Sequence, residues 1–371
     1  MSQRIIHLSP GDVAGFDIGT RSPTNRQLYD PRPGGLLFVG DNSFIRPYGW
    51  GSDTIHIECG SGPISFNGCT IQASGATNGK GKGIHYGTSK EYGNAGIMEH
   101  DALILNGCHS FAPAPAPGRQ HSAVWGVMTY NTDIHLEDCT FDYFFSAEHT
   151  GYSHGFAKYG LAIKRCQFQA SGGEGWKVAT RPEEVWFAPE AEISVSGSEF
   201  RNWYQPWSWR GGAGLVLQGS GARKISLDDV GFFGGDGQRS KCLMIDDGGQ
   251  RYYDHEGVVR GPGAANGHVD INRCGFNGVG TEWYTSIVKV DTIDRFNPVD
   301  HKNALSFKMR GSGVYGERTF LNVNGVDTVS VKGCNTPAIK RYGDAHGFNT
   351  LHETQLKIEQ QPLVPVSQGT A

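Results

Sequence analysis

One line of residues recurs along the chain and limits what it can fold into. The clearest copy is Asp133-Ile-His-Leu-Glu-Asp-Cys-Thr-Phe-Asp142. Other copies are Ile64-Ser-Phe-Asn-Gly-Cys-Thr-Ile71, Leu103-Ile-Leu-Asn-Gly-Cys108, Leu161-Ala-Ile-Lys-Arg-Cys-Gln-Phe168 and Ile193-Ser-Val-Ser-Gly-Ser-Glu-Phe200. The line continues as Ile225-Ser-Leu-Asp-Asp-Val-Gly-Phe232, Val269-Asp-Ile-Asn-Arg-Cys-Gly-Phe276 and Val329-Ser-Val-Lys-Gly-Cys334, with a weaker copy starting at Leu305-Ser-Phe307. Apolar residues alternate within each copy, which is the period of a strand and not of a helix. Copies start 24 to 44 residues apart, so the unit has a fixed minimum and a variable insertion. Such a unit cannot bury its apolar face alone, and stacking of neighbours makes the core.

A second strand precedes most copies: Thr54-Ile-His-Ile57, Gly214-Leu-Val-Leu217, Cys242-Leu-Met-Ile245, Ser286-Ile-Val-Lys-Val290 and Phe320-Leu-Asn-Val323. One unit therefore reads strand, turn, strand, bend, short strand, and about 24 residues suffice for one coil of a three-sheet solenoid. Glycine supplies 54 of 371 residues without a Gly-X-Y period, which suits a chain that turns every few residues and excludes collagen.

The line apolar-x-apolar-x-x-Cys-x-Phe, with Gly or Asn-Gly at its bend, resembles the right-handed β-helix superfamily of pectate lyase-like enzymes, polygalacturonases and phage tailspikes. The resemblance spans about residues 54–336. It implies an all-β fold, a single-stranded right-handed parallel β-helix with an N-terminal cap or attachment segment (1–53) and an extended C-terminal tail (337–371). It leaves function open, because one fold hosts many activities.

Six of eight cysteines hold one register position: Cys69, Cys108, Cys139, Cys166, Cys274 and Cys334, with Ser198 and Val230 filling it in two other units. A slot that accepts Cys, Ser or Val is small and buried, so these read as a core ladder of reduced thiols. Parallel side chains on neighbouring coils are badly placed for disulfides, and zinc would want close Cys pairs. Cys59 and Cys242 read as core on the other strands.

The net charge of −4 gives no case for a nucleic-acid or membrane surface. Met-Ser-Gln-Arg-Ile-Ile-His has no apolar signal region, and no run is long and apolar enough to span a membrane. The expectation is a chain made in a cytoplasm, with secretion as the alternative.

Candidate chemistry is sparse. Polygalacturonase-like hydrolases use several Asp on one face, and inverting glycosidases space two carboxyls about 6.5–9.5 Å apart. Here Asn131-Thr-Asp133 is followed by Ile134 where the family has Gly, Asp-Asp falls at 228–229 and 246–247, and Gly267-His268 is followed by Val269. Weak catalytic candidates are Asp133, Asp246 and Asp247, against the reading that they are turn residues. Asp246, Asp247, Asp254, Glu256 and Arg260 are close in sequence; a lyase could use such carboxylates for calcium, and a solvated loop explains them equally. Otherwise no cofactor is expected. His149 and His154 flank a Gly-Tyr-Ser stretch read as a turn, with no third ligand for a metal. Gly79-Lys-Gly-Lys-Gly83 lacks the strand-loop-helix setting of a phosphate loop.

The best binding candidate is Trp203, Tyr204, Trp207 and Trp209 with Arg201 and Arg210, a composition suited to a protein interface or a sugar face. Covering the core beneath a loop is the competing reading. The functional expectation is a phage virion structural protein, a spike or a capsid or tail decoration. It would be a homotrimer contacting other virion proteins and a cell-surface polysaccharide. The alternative is a polysaccharide lyase or glycoside hydrolase.

Overall fold

The computed structural model describes residues 3–20, 22, 25–31, 34–49, 51–74, 81–87, 101–112, 125–130, 132–143, 149–154, 160–170, 174–179, 192–203, 213–218, 224–235, 241–246, 252–253, 259–260, 268–277, 288–291, 304–315, 321–324, 326–334 and 355–359. Among them every regular element is a strand. Three long sheets of 12, 10 and 11 strands, here sheets 1, 2 and 3, are parallel throughout, and the chain visits them in turn. The arrangement is a solenoid, compatible with a parallel β-helix.

The recurring line crosses from sheet 1 to sheet 2. Its two alternating apolar residues form inner columns of sheet 1, such as Leu103–Ile134–Leu161–Ile193–Ile225 and Leu105–Leu136–Ile163–Val195–Leu227. Its aromatic residue forms the inner column of sheet 2, where Phe141, Phe168, Phe200, Phe232 and Phe276 stack with ring centroids 4.9, 4.7, 5.1 and 5.1 Å apart. This spacing is the rung separation of the ladder itself, so the rings are held near parallel by the backbone.

The bend between the two sheets is the same in each copy. Gly68, Gly107, Asp138, Arg165, Gly197, Asp229, Arg273, Gly311 and Gly333 all have φ between 52° and 66°. Four of them carry side chains in a region that costs such residues about 1 kcal/mol or more. At two of these, the side chain reaches back to the previous coil. Arg165 binds both Asp138 oxygens at 2.7 Å and Glu137 at 2.5 Å, and Arg273 binds Asp228 at 2.7 Å.

The next residue is the cysteine slot. Cys139, Cys166, Cys274 and Cys334 each donate a thiol hydrogen to the carbonyl two residues earlier, at 3.2 to 3.3 Å. Ser198 and Ser312 make the same bond at 2.8 and 3.0 Å, which explains why serine substitutes there. Val230 fills the slot without that bond, by apolar packing alone. No disulfide is formed, and seven of the eight cysteines are buried, Cys59 being half-buried. Burial pushes the Cys274 thiol up to about 11; hydrogen bonding to Cys108, with burial, pushes Cys139 up to about 12. A thiol reagent near neutral pH is therefore expected to modify at most Cys59 quickly, the other seven reacting only on unfolding. More than one fast thiol per native chain, counted by absorbance, would contradict this packing.

The structure adjusts several sequence expectations. The weak copy begins at Phe307 and not at Leu305, since Phe307 pairs with Val269 and Val329. Alternating Leu305, Phe307 and Met309 left the register ambiguous by two residues, and the bend at Gly311-Ser312 fixes it. The stretch His149–His154 is a strand of sheet 3 and not a turn. Ile84–Tyr86 and Glu174–Ala179, which lie between copies of the recurring line, are also rungs of sheet 3. The sheets continue upstream of residue 53 through Arg4–His7, Gly11–Ala14, Phe16–Ile18, Leu36–Val39 and Ser43–Arg46. Downstream, Gln355–Glu359 pairs with Val326–Lys332.

Candidate functional site

Sheet 3 carries two inner columns and one outer column between them. The outer column starts Leu28–Asp17–His56–His85–Met128. Near its beginning this outer face is covered by the turns that lead into the strands, and it holds the densest group of buried charge in the described residues. Asp17 is fully buried and pairs with Arg26 at 2.5 Å, with Arg26 itself 3% exposed. Arg26 also donates to the Asp53 carbonyl at 2.5 Å, and Ser22 donates to the second Asp17 oxygen at 2.5 Å.

Asp53 precedes the strand Ile55–Ile57, and this places its carboxylate over the two histidines. One oxygen lies 2.6 Å from Nδ1 of His85 and 4.0 Å from Nδ1 of His56. The other accepts the Lys82 backbone amide at 3.1 Å and lies 3.5 Å from Lys82 Nζ. The imidazoles meet edge to face with centroids 5.3 Å apart, and Tyr130 lies 5.9 Å beyond His85. Burial opposes the Asp53 charge, but the His85 hydrogen bond and the nearby Lys82 outweigh it and hold the carboxyl below its usual range. For His85 burial wins over the attraction of Asp53, so its pKa falls. The ring is then neutral near pH 7, Nδ1–H donates to Asp53, and Nε2 presents a lone pair. That Nε2 is buried with no hydrogen-bond partner among the described residues. An oriented neutral imidazole of this kind can accept a proton or ligate a metal.

Asp53, His56 and His85 did not stand out as candidates in the sequence, and Lys82 drew notice only within Gly79-Lys-Gly-Lys-Gly83. The available signal was the pair Ile55-His-Ile57 and Ile84-His-Tyr86, the same strand in consecutive coils, which places the histidines on adjacent rungs.

The residues that did stand out are dispersed. Asp133 begins a sheet 1 strand, is buried, and accepts the Gly160 amide at 3.3 Å. Asp246 ends a sheet 3 strand, four rungs beyond the strand that leads toward Asp133, or about 19 Å along the axis. The structure does not bring these two together. It instead sets Asp246 in register with Asp291, between Gln218 and Asn324. Asp228 is bound by Asn272 and Arg273, both at 2.7 Å. Arg260 lies in a short strand paired with Tyr252–Tyr253. Asp247, Asp254 and Glu256 lie outside the described residues.

No protein-family model, curated protein or solved structure matches this chain. Its residues and their geometry are thus the basis for function.

Of the aromatic cluster, Trp203 ends the sheet 2 strand Glu199–Trp203. Arg201 is exposed there, bonded to Glu199 at 2.8 Å and 5.4 Å from the Phe233 ring centroid. Tyr204, Trp207, Trp209 and Arg210 lie outside the described residues. His149 and His154 are five residues apart on one strand, about 16 Å along it, too far to share an ion.

At the N-terminal end of the solenoid, Arg4–His7 and Gly11–Ala14 are the edge strands of sheets 1 and 2. The amides of Arg4 and Leu8 bond inward to Gly35 and Val39, and those of Gly11 and Gly15 to Asn42 and Arg46. Strand alternation then turns the amides of Ile5, His7, Asp12 and Ala14 outward. Ile5 is 55% exposed, and half-buried Ile6, Val13 and Tyr29 pack against the core behind. Beside this edge the outer face of sheet 2 carries Phe44, Phe111 and His109 in ring contact, with Arg46 over Phe44 at 4.4 Å.

Proposed function

We propose that this chain is a structural attachment protein of a phage particle, a spike or a capsid or tail decoration built on a right-handed parallel β-helix. The observation that carries the reading is the pair of edge strands Arg4–His7 and Gly11–Ala14. Two adjacent strand edges with outward amides, an apolar core behind and an aromatic–arginine patch beside them form a template for strand addition by another chain. The stacked interior favours the same role, since a solenoid with a continuous core is a stiff spacer that holds its two ends apart. The partner is a neighbouring subunit of a homotrimer or another virion protein, and the half-buried Phe44–Phe111 pair beneath Arg46 suits a surface glycan.

Light scattering on the full chain tests the association. Three chains would weigh about 121 kDa against 40.3 kDa for one. Ile5→Pro removes an outward amide and no internal ladder bond, so it is expected to abolish association while leaving the thermal midpoint within a few degrees. A chain that stays monomeric alone and with purified particles, or associates unchanged with Ile5→Pro, would overturn the role of this edge.

A second reading, a polysaccharide lyase or glycoside hydrolase, rests on the register of Asp246 with Asp291, which sets two acidic residues on neighbouring rungs. Depolymerisation of an acidic polysaccharide that is lost in both Asp246→Asn and Asp291→Asn would favour it.

A further inference from the structure

We propose that Asp53, His56 and His85 form a binding site for a divalent transition-metal ion of the zinc class. One ligand atom from each residue lies within 4.8 Å of the other two. The histidines stand on adjacent rungs of one outer column, so their separation is set by the backbone ladder and not by flexible side chains. Asp53 is anchored on both sides of its carboxylate. Its backbone carbonyl is held by Arg26, and one carboxylate oxygen by the Lys82 amide. What is left facing the histidines is the other oxygen, 2.6 and 4.0 Å from their Nδ1 atoms.

The donor set selects the ion. Two imidazole nitrogens and one carboxylate oxygen suit zinc, cobalt or nickel, whereas calcium and magnesium take oxygen-rich shells. Three protein ligands leave a fourth tetrahedral position for water or another donor. Ligand bonds of about 2.0–2.1 Å put tetrahedral neighbours about 3.3 Å apart. The Asp53–His85 contact therefore opens by well under 1 Å, and His56 closes by a similar amount. For the ion to bind Nδ1 of His85, the ring proton moves to Nε2, so the ligand stays a neutral imidazole. The ring's Nε2 has no partner among the described residues, so no hydrogen bond there resists this small rotation.

Lys82 sets the affinity. Its ammonium is 3.5 Å from Asp53, and a second cation beside the ion lowers binding. It is thus a tuning residue, and its neutral variant reports on the site without removing a ligand. The inference does not depend on the attachment reading, which concerns the edge strands of sheets 1 and 2 and not the outer face of sheet 3.

The test uses the full chain, stripped with a chelator and titrated with zinc chloride by calorimetry and with cobalt chloride by absorbance. One ion per chain is expected, with a cobalt spectrum of tetrahedral nitrogen–oxygen type. His56→Ala, which removes a half-buried ring, is expected to weaken binding at least about 100-fold, with the apo thermal midpoint little changed. Lys82→Met is expected to tighten it several-fold. Absence of stoichiometric binding, unchanged affinity in His56→Ala, or an intense sulfur-to-cobalt charge-transfer band would overturn the site. Should His56→Ala fail to fold, Lys82→Met decides: affinity equal to or weaker than wild type would overturn the proposal.

Discussion

Phe200→Ala is expected to destabilise the solenoid by about 3–5 kcal/mol, the range for an aromatic core truncation. Phe200 is fully buried between Phe168 and Phe232, with centroids 4.7 and 5.1 Å away and planes within 9°. The opposite wall is close as well. A Cβ added to Gly214 would come within 2.8 Å of Phe232 and 3.1 Å of Phe200. The cost of a cavity depends on how far its walls collapse, and here the walls are rungs fixed by their own hydrogen bonds. Little relaxation is available. The contrast is one position along the next coil: Phe233 faces out and is 41% exposed, so Phe233→Ala should cost under about 1 kcal/mol. Urea unfolding followed by circular dichroism checks the pair. A Phe200→Ala loss no larger than that of Phe233→Ala would mean the aromatic column does not carry the core.

That column also shows what could be read in the sequence. A phenylalanine two residues after the slot residue recurs because each coil must fill the same place above the last, and stacking repeats one local problem many times. The alternation of Ile134 and Leu136 with His135 and Glu137 has the same origin. What the line did not show are coils that solve the problem with other residues. Leu36–Val39 and Ser43–Arg46 are rungs of sheets 1 and 2, but their bend lacks the Cys-x-Phe pair. Phe38 instead stacks on Phe66 at 4.9 Å and on Phe16 at 5.0 Å. The aromatic column thus changes sheets near the N-terminal end, and a motif search tuned to one sheet misses it.

The site was illegible for a different reason. Asp53, His56 and His85 meet because residues 29 apart occupy the same rung position, and because Asp53 lies in a turn whose course follows from tertiary packing. Strand registry could have paired the histidines, but no local pattern places the carboxylate. Conversely, Asp133 resembled a motif residue, yet its carboxylate receives the Gly160 amide. At Gly160, φ is +114°, and an added Cβ would sit 1.6 Å from the Glu192 carbonyl. Asp133 thereby steadies a glycine turn that no other residue could make.

Arg26→Met is the second change with a large expected effect, about 3–5 kcal/mol, because it strands a buried carboxylate. Asp17 has no exposed surface, and Arg26 is 3% exposed. The guanidinium bridges the Asp17 side chain to the backbone carbonyls of Asp53 and Thr54 at 2.5 and 3.5 Å, so it also joins the first coil to the next. Removing it leaves the hydrogen bond from Ser22 to Asp17 in place but takes away the guanidinium charge. If the loss comes from the uncompensated charge, the double variant Asp17→Leu with Arg26→Met should recover at least half of it, since apolar replacement of a buried ion pair is often near neutral. If the loss comes from the Arg26 contacts with Asp53 and Thr54, the double variant should be no better than the single one. Hydrogen exchange at Phe16–Ile18 and Ile55–Ile57 locates the effect, because a solenoid can open at one end while the rest stays folded. Faster exchange confined to these rungs, with the Phe141 to Phe276 stack protected, is the expected pattern. Uniform loss of protection would show that the ion pair supports the whole stack and not its first coils.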